Sequence, residues 1–301
     1  IEAAKKLLEE KKFDEVDKAL EKLLAQQDVP EEALRLSLDA AAARGRVITA
    51  QQRVTMLLKI TQNKDLALVW QGAQIAEQAG DDRLALARHL AYAKGQNEKD
   101  AKLEYALRYV LNRGTYPEEY QKYLTVFGKS DASWGLGAKL AQALFTSDEA
   151  AQGLALCESL MQSATHPAQV THVHWLLADA EVKGYLGADP EARYFRPLSL
   201  MVKYQPDNLV HLQNLYHERF WKWDRCPAAL RLDLLCKVQE TWKARLPWPL
   251  LEKFGVIKEV ADEGKRLEFG RRYLGYEPIY KNDPDPNAYR EYLQLMADAG
   301  S

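Results

Sequence analysis

The stretch LEYALRYVLNRGTYPEEYQKYL, residues 103–124, decides the fold class. Leu103, Ala106, Leu107 and Val110 recur at three- and four-residue spacing, which sets them on one face of an α-helix. Gly114 and Tyr116 interrupt that run, and Pro117 can open a new first turn because it has no N–H to leave unpaired. Glu119 and Tyr123 then take up the helical spacing again. The segment reads as two helices joined by a short turn.

The same pattern extends in both directions. Apolar residues follow the helical period in almost every segment, and alternating strand patterns bounded by Asn-Gly or Gly-Gly are absent from the sequence. Breaks fall at QQDVPEE, AAARGRV, TQNKD, QAGDD, KGQNEKD, GKSDAS, FTSDEA, SATHPAQ, GYLGADPEA and KYQPDN, among others. Segments of roughly 11 to 18 residues lie between them, the length of ordinary globular helices. ADPEA, QPDN and NDPDPN carry Asp before or beside Pro, a combination that caps the free amides of a new helix. Short connections between helices favour antiparallel hairpins. The chain is expected to be all-α.

Hairpin-like units recur. WGLGAKLAQALFTSDEAAQGL supplies Trp134, Gly137, Ala138 and Ala141, then Ala150 and Leu154. The opening segment supplies Ala4, Leu7, Phe13, Val16 and Leu20, LRLSLDAAAARG supplies Leu36, Ala40 and Ala43, and WQGAQIAEQAG supplies Trp70, Ala73 and Gly80. Asp39 and Gln74 depart from the pattern at slots that ask for apolar and small residues. Taking the small slot as Ala4, Ala40, Gln74, Leu107, Ala138, Ala178 and Leu215 gives steps of 36, 34, 33, 31, 40 and 37 residues. Periods of this size mark arrays in which each hairpin buries its apolar face against its neighbours.

In these residues the chain resembles the tetratricopeptide-repeat family, most closely over 99–160. The resemblance implies a right-handed α-solenoid of antiparallel helical hairpins, a TPR-like superhelix of about seven to eight hairpins. Residues 1–220 are expected to form TPR-like repeats and 221–301 degenerate repeats that continue the solenoid. Because IEAAKKLLEEKK is helical from the outset and DPDPNAYREYLQLMADAG ends like a repeat junction, a fragment of a longer protein is expected.

Composition narrows the function classes. Over 301 residues the net charge is −2, and hydrophobic residues make up 47%, enough to bury a core. Residues 1–150 hold 22 basic and 23 acidic side chains and residues 151–301 hold 19 and 20, so neither half shows the basic stripe of a nucleic-acid binder. No apolar run is long enough to enter a membrane. Cys157, Cys226 and Cys236 form no CxxC and no even-numbered framework, and they read as free thiols, a Cys226–Cys236 bridge being the alternative. The compartment stays open, cytoplasm or periplasm.

Catalytic and metal patterns fail on spacing. His172 and His174 lie about 200° apart around a helix and cannot share an ion. His211 and His217 are no better placed. Asp283, Asp285 and Asn287 begin like a calcium loop, but Ala288 and Gln294 stand where Gly and Glu are needed. WGLGAKL has two glycines of a dinucleotide loop and Leu140 in place of the third. No cofactor, metal or enzymatic activity is implied.

The resemblance places a concave face on the first helix of each hairpin. Reading its gap positions gives Tyr105 and Arg108, Lys139, Trp175 and Asp179, and Tyr216 and Arg219. Aromatic and Arg side chains of this kind dominate interface energetics, although each ring can equally be core. YHERFWKWDRCP, residues 216–227, reads as a hairpin corner, with Trp221 and Trp223 at the helix end as a further patch. A non-catalytic scaffold holding a protein or peptide is the expected function. Polysaccharide binding in an envelope scaffold and the helical superstructure of a cell-wall-lytic or glycosidase enzyme are the alternatives.

Overall fold

Backbone capping chemistry sets where the helices of this chain begin and end. The computed structural model describes residues 1–189 and 191–204, with residues 236, 237, 239–241, 243 and 264. Every element among the described residues is helical. In order they are α1 (Glu2–Glu9), α2 (Phe13–Leu24), α3 (Glu31–Ala43), α4 (Val47–Ile60), α5 (Leu66–Gln78), α6 (Asp82–Gly95), α7 (Ala101–Leu111) and α8 (Pro117–Phe127). There follow α9 (Asp131–Thr146), α10 (Ala150–Gln162), α11 (Pro167–Val182), one π-helical turn (Glu191–Phe195) and α12 (Arg196–Tyr204). The all-α reading is correct for these residues.

The chain divides into two compact units, residues 1–136 and 137–301, with the boundary inside α9. In the first unit α1 to α8 pack in chain order, each against the next. In the second, α10 packs on α11 and α12 packs on both. The change of character expected near residue 220 lies outside the described residues.

Asp65, Asp81 and Asp100 lie in three of the breaks read from the sequence, and each caps a helix. Their carboxylates accept from the backbone N–H of Leu68, Leu84 and Leu103, at 3.1, 3.0 and 2.6 Å. Pro117 and Pro167 open α8 and α11, where a missing N–H costs nothing. Ser130 and Ser133 open α9 reciprocally: each hydroxyl accepts from the other's N–H, at 2.7 and 3.2 Å.

Helix C-termini repeat a second device. After α3 the N–H of Arg46 donates to Ala41 O and that of Gly45 to Ala42 O, with Gly45 at φ 64°. This is the Schellman arrangement, in which a left-handed residue turns the chain back onto the last carbonyls. Gly80 does the same after α5. After α1, α4 and α9 the left-handed position is held by Lys11, Gln62 and Asp148, at φ 58, 53 and 63°. The break between α1 and α2, Glu10–Lys12, contains neither Gly nor Pro, so the sequence carries no mark of it.

Two capping aspartates also join helices far apart in sequence. Arg35 on α3 donates to Asp65 at 2.8 Å, and Gln51 on α4 donates to Asp81 at 3.2 Å, each pair separated by 30 residues. The N-terminus of α5 is thereby tied to α3 and that of α6 to α4.

A close approach of three helices lies at Gly72 on α5. A Cβ there would stand 3.1 Å from the Val54 side chain on α4 and 3.3 Å from Arg88 on α6. The Arg88 guanidinium, 6% exposed, donates to Gly72 O and to Thr55 Oγ1, both at 2.8 Å. Gln74, assigned to the small-residue slot of this unit by the repeat alignment, is exposed, whereas Gly72 and Ala73 are buried. The slots in the segment that decided the fold, Leu103, Ala106, Leu107 and Val110, are all buried.

Gly72→Val is expected to lower stability by about 1–3 kcal/mol, because neither neighbour can retreat without disturbing its own contacts. Lys11→Gly is expected to raise it by about 0.5–1 kcal/mol through relief of the left-handed backbone. Urea unfolding monitored by circular dichroism checks both, and a neutral Gly72→Val would show that this approach is not tight.

Candidate functional site

Helical spacing sets up the site before any packing does. Trp70 and Glu77 are seven residues apart on α5, His89 and Tyr92 three apart on α6, and Tyr105 and Tyr109 four apart on α7. Each pair therefore shares a helix face. Packing of α5 on α6 and of α6 on α7 brings the three faces together.

The result is a continuous aromatic cluster. The Trp70 ring lies 5.5 Å from His89, 5.2 Å from Tyr92 and 5.7 Å from Tyr105, centroid to centroid. His89 lies 4.4 Å from Tyr109. Tyr109 also packs against Ala76 and Ala85, whose small side chains leave room for its ring. The Arg113 guanidinium covers the Tyr109 ring at 3.5 Å from the centroid.

Glu77 joins the rings. Its Oε2 accepts from the Tyr105 hydroxyl at 2.7 Å, and its Oε1 lies 2.6 Å from His89 Nε2. Burial pushes the His89 pKa below its ordinary value, against the opposing pull of Glu77 and with Arg113 adding to the depression. The ring is therefore neutral at pH 7, and Nε2–H donates to Glu77. That leaves Nδ1 buried without a hydrogen-bond partner. The bond to Glu77 is the main cause that raises the Tyr105 phenol.

Exposure separates the members. His89 is fully buried, the Glu77 side chain is 25% exposed, and Tyr105 is 47% exposed. Trp70 is half-buried. A broad face of Tyr105 thus stands in solvent, while its hydroxyl is held by Glu77 and its ring is braced by Trp70 and His89.

The sequence-derived candidates fall at separate places. Tyr105 and Arg108 are both exposed on α7 but engage different neighbours. Arg108 pairs with Glu104 at 2.9 Å and donates to the Tyr123 hydroxyl at 3.4 Å, and that hydroxyl donates to Glu104 at 3.1 Å. Arg108 is thus tied to α8, whereas Tyr105 is tied to α5. In the second unit Lys139 is exposed, Trp175 is half-buried, and Asp179 is half-buried and paired with Lys183 at 2.7 Å. Tyr216, Arg219, Trp221 and Trp223 lie outside the described residues.

Glu77, His89, Tyr92 and Tyr109 are not among the sequence candidates, and Trp70 enters there only as a packing residue. The available signal is the i, i+3, i+4 and i+7 spacing of rings and titratable groups on three consecutive helices. That spacing identifies the faces but not which faces meet.

His172 and His174 on α11 lie as their spacing requires, His172 exposed and His174 buried. Among the described residues no group of three His, Cys, Asp or Glu side chains is placed to hold a metal ion. No helix there is long and apolar enough to cross a membrane. Cys157 is buried, which pushes its thiol up and keeps it protonated. No family model matches the chain, and no curated protein matches it.

Neither ring nitrogen of His174 has a hydrogen-bond partner, and burial pushes its pKa down to about 3. The unfolded chain, with an ordinary imidazole near pH 6.5, binds a proton that the folded state refuses. The contribution of His174 to stability is therefore level above about pH 6.5 and falls as the pH drops toward 3. His174→Leu is expected to remove this slope, so that lowering the pH from 7.5 to 4.5 costs the variant about 2–3 kcal/mol less than the native chain. Urea unfolding at the two pH values reads the difference, and equal losses would contradict the assignment.

Proposed function

We propose that this chain is a non-catalytic interaction scaffold, a right-handed solenoid of antiparallel TPR-like hairpins that holds a protein or peptide surface in its concave face. The two ties of equal sequence separation, Arg35 to Asp65 and Gln51 to Asp81, support a repeated architecture. In both, a helix of one pair reaches the capping residue of the corresponding helix in the next. A one-dimensional array of this kind contacts only its neighbours and leaves an extended face for binding.

The observation that carries the function is Tyr105. Its large aromatic side chain is 47% exposed and already fixed in place. Glu77 holds its hydroxyl, and Trp70 and His89 hold its ring. Such an anchor loses little rotamer freedom when a partner covers it, so more of the contact energy remains as affinity. Arg108, on the same helix and fixed by Glu104 and Tyr123, is a second preset contact.

Affinity capture from the source extract, with native chain and Tyr105→Ala in parallel, tests the reading. A stoichiometric protein retained by the native chain and weakened by about thirty-fold or more in the variant is the expected result. The variant should keep its helical circular-dichroism spectrum, since the ring is half in solvent. Equal capture by both proteins would remove Tyr105 as an anchor, and with it the groove reading.

A further inference from the structure

Several carboxylates among the described residues are paired with a cation, and Glu77 is not. Asp65 meets Arg35, Asp179 meets Lys183, and Glu181 meets Arg193. The two partners of Glu77, the Tyr105 hydroxyl and the His89 ring, are neutral donors at pH 7. Among the described residues no lysine or arginine lies within ion-pair distance of it. Each carboxylate oxygen accepts one of these bonds and keeps a lone pair for another donor.

The Tyr105 ring, held by Glu77 through its hydroxyl, packs in turn on Trp70. Trp70 and Tyr105 stand nearly perpendicular, with an interplanar angle of 84° at 5.7 Å. In this edge-to-face contact one ring turns its edge to the other's face, so the site offers a cation the solvent-exposed part of the Tyr105 ring and the Glu77 counter-charge. The cluster already attracts a cation within the chain, because Arg113 lies over the neighbouring Tyr109 ring. Arg113 is the charge that opposes a second cation here. Its guanidinium is engaged with Tyr109 and makes no ion pair with Glu77, so it does not neutralise the carboxylate.

We propose that Glu77, Trp70 and Tyr105 form a seat for one cationic side chain, arginine or lysine, of the segment bound by this scaffold. The proposal rests on the interaction-scaffold reading and names the chemistry of the partner at this point. Glu77 supplies the charge, Tyr105 supplies the exposed ring, Trp70 braces that ring, and His89 is a positioning residue that holds the carboxylate.

The test uses the full chain with ¹⁵N-labelled indoles, the Trp70 signal being identified by its loss in Trp70→Phe. The probes are N-acetyl-arginine methylamide, N-acetyl-lysine methylamide and the neutral isostere N-acetyl-citrulline methylamide. A saturable shift of the Trp70 signal with the two cations, at least about ten-fold weaker with citrulline, is expected. Glu77→Gln keeps an acceptor for Tyr105 and should weaken the cations by about ten-fold while leaving the remaining indole signals in place. No saturable shift, an equal response to citrulline, or unchanged affinity in Glu77→Gln would overturn the seat. Loss of the captured partner in Tyr105→Ala with no response to the cationic probes would likewise overturn it, while leaving the scaffold reading intact.

Discussion

Arg88 lies between α4, α5 and α6 with its guanidinium bonded to Gly72 O and Thr55 Oγ1, and the spacing of these helices depends on that contact. A buried guanidinium with no carboxylate partner is costly to desolvate, and burial accordingly depresses its pKa. It stays protonated, hydrogen-bonded to two neutral oxygens with the Asp81 charge in its favour. Such a group does little for net stability but sets register, since a slip of α6 along α5 would strand the charge. The contact is close because residue 72 has no side chain, a Cβ there standing 3.3 Å from Arg88. The edge-to-face contact of Trp70 with His89, on the same pair of helices, depends on the same register.

Helix termini spread that order along the first unit. Asp65 and Asp81 each satisfy a free backbone amide and also accept from the helix two positions earlier, so one carboxylate sets a boundary and a packing contact. Thr55, an acceptor for Arg88, donates in turn to Gln51 O, and Gln51 donates to Asp81. The cap of α6 and the buried guanidinium on α6 are thereby linked through α4. A chain built this way can keep its helix spacing while its surface residues diverge, because the bonds that set the spacing involve few positions.

The aromatic cluster draws on both features. Its members come from α5, α6 and α7, and the small residues Ala76 and Ala85 let Tyr109 reach between the first two. Glu77 then becomes the centre of the site through hydrogen bonding: it couples a buried histidine to an exposed tyrosine across about the width of one side chain. The exposed ring is left with little freedom to move, next to a carboxylate held by neutral groups. In the proposed scaffold this is the part of the surface best prepared to receive a partner.

Much of the fold is legible in the sequence because it is local. Helical periodicity and capping chemistry act within a few residues, so the breaks at QQDVPEE through GYLGADPEA lie where helices end. The break at Glu10–Lys12 is silent, since Lys11 takes a left-handed backbone that is normally marked by glycine. The repeat alignment gives Tyr105 and Arg108 as gap positions, and both are exposed. It does not identify their neighbours, and it puts Gln74 in a packing slot one position or more out of register with the buried Gly72 and Ala73. By itself, then, the sequence determined that the chain is helical, where most of its helices stop and which side chains share a face. The tertiary structure alone decided that Glu77 meets His89 and Tyr105, because that depends on how far apart and in what register three helices pack, and those quantities are set by contacts such as Arg88 on Gly72 between residues that no periodicity connects.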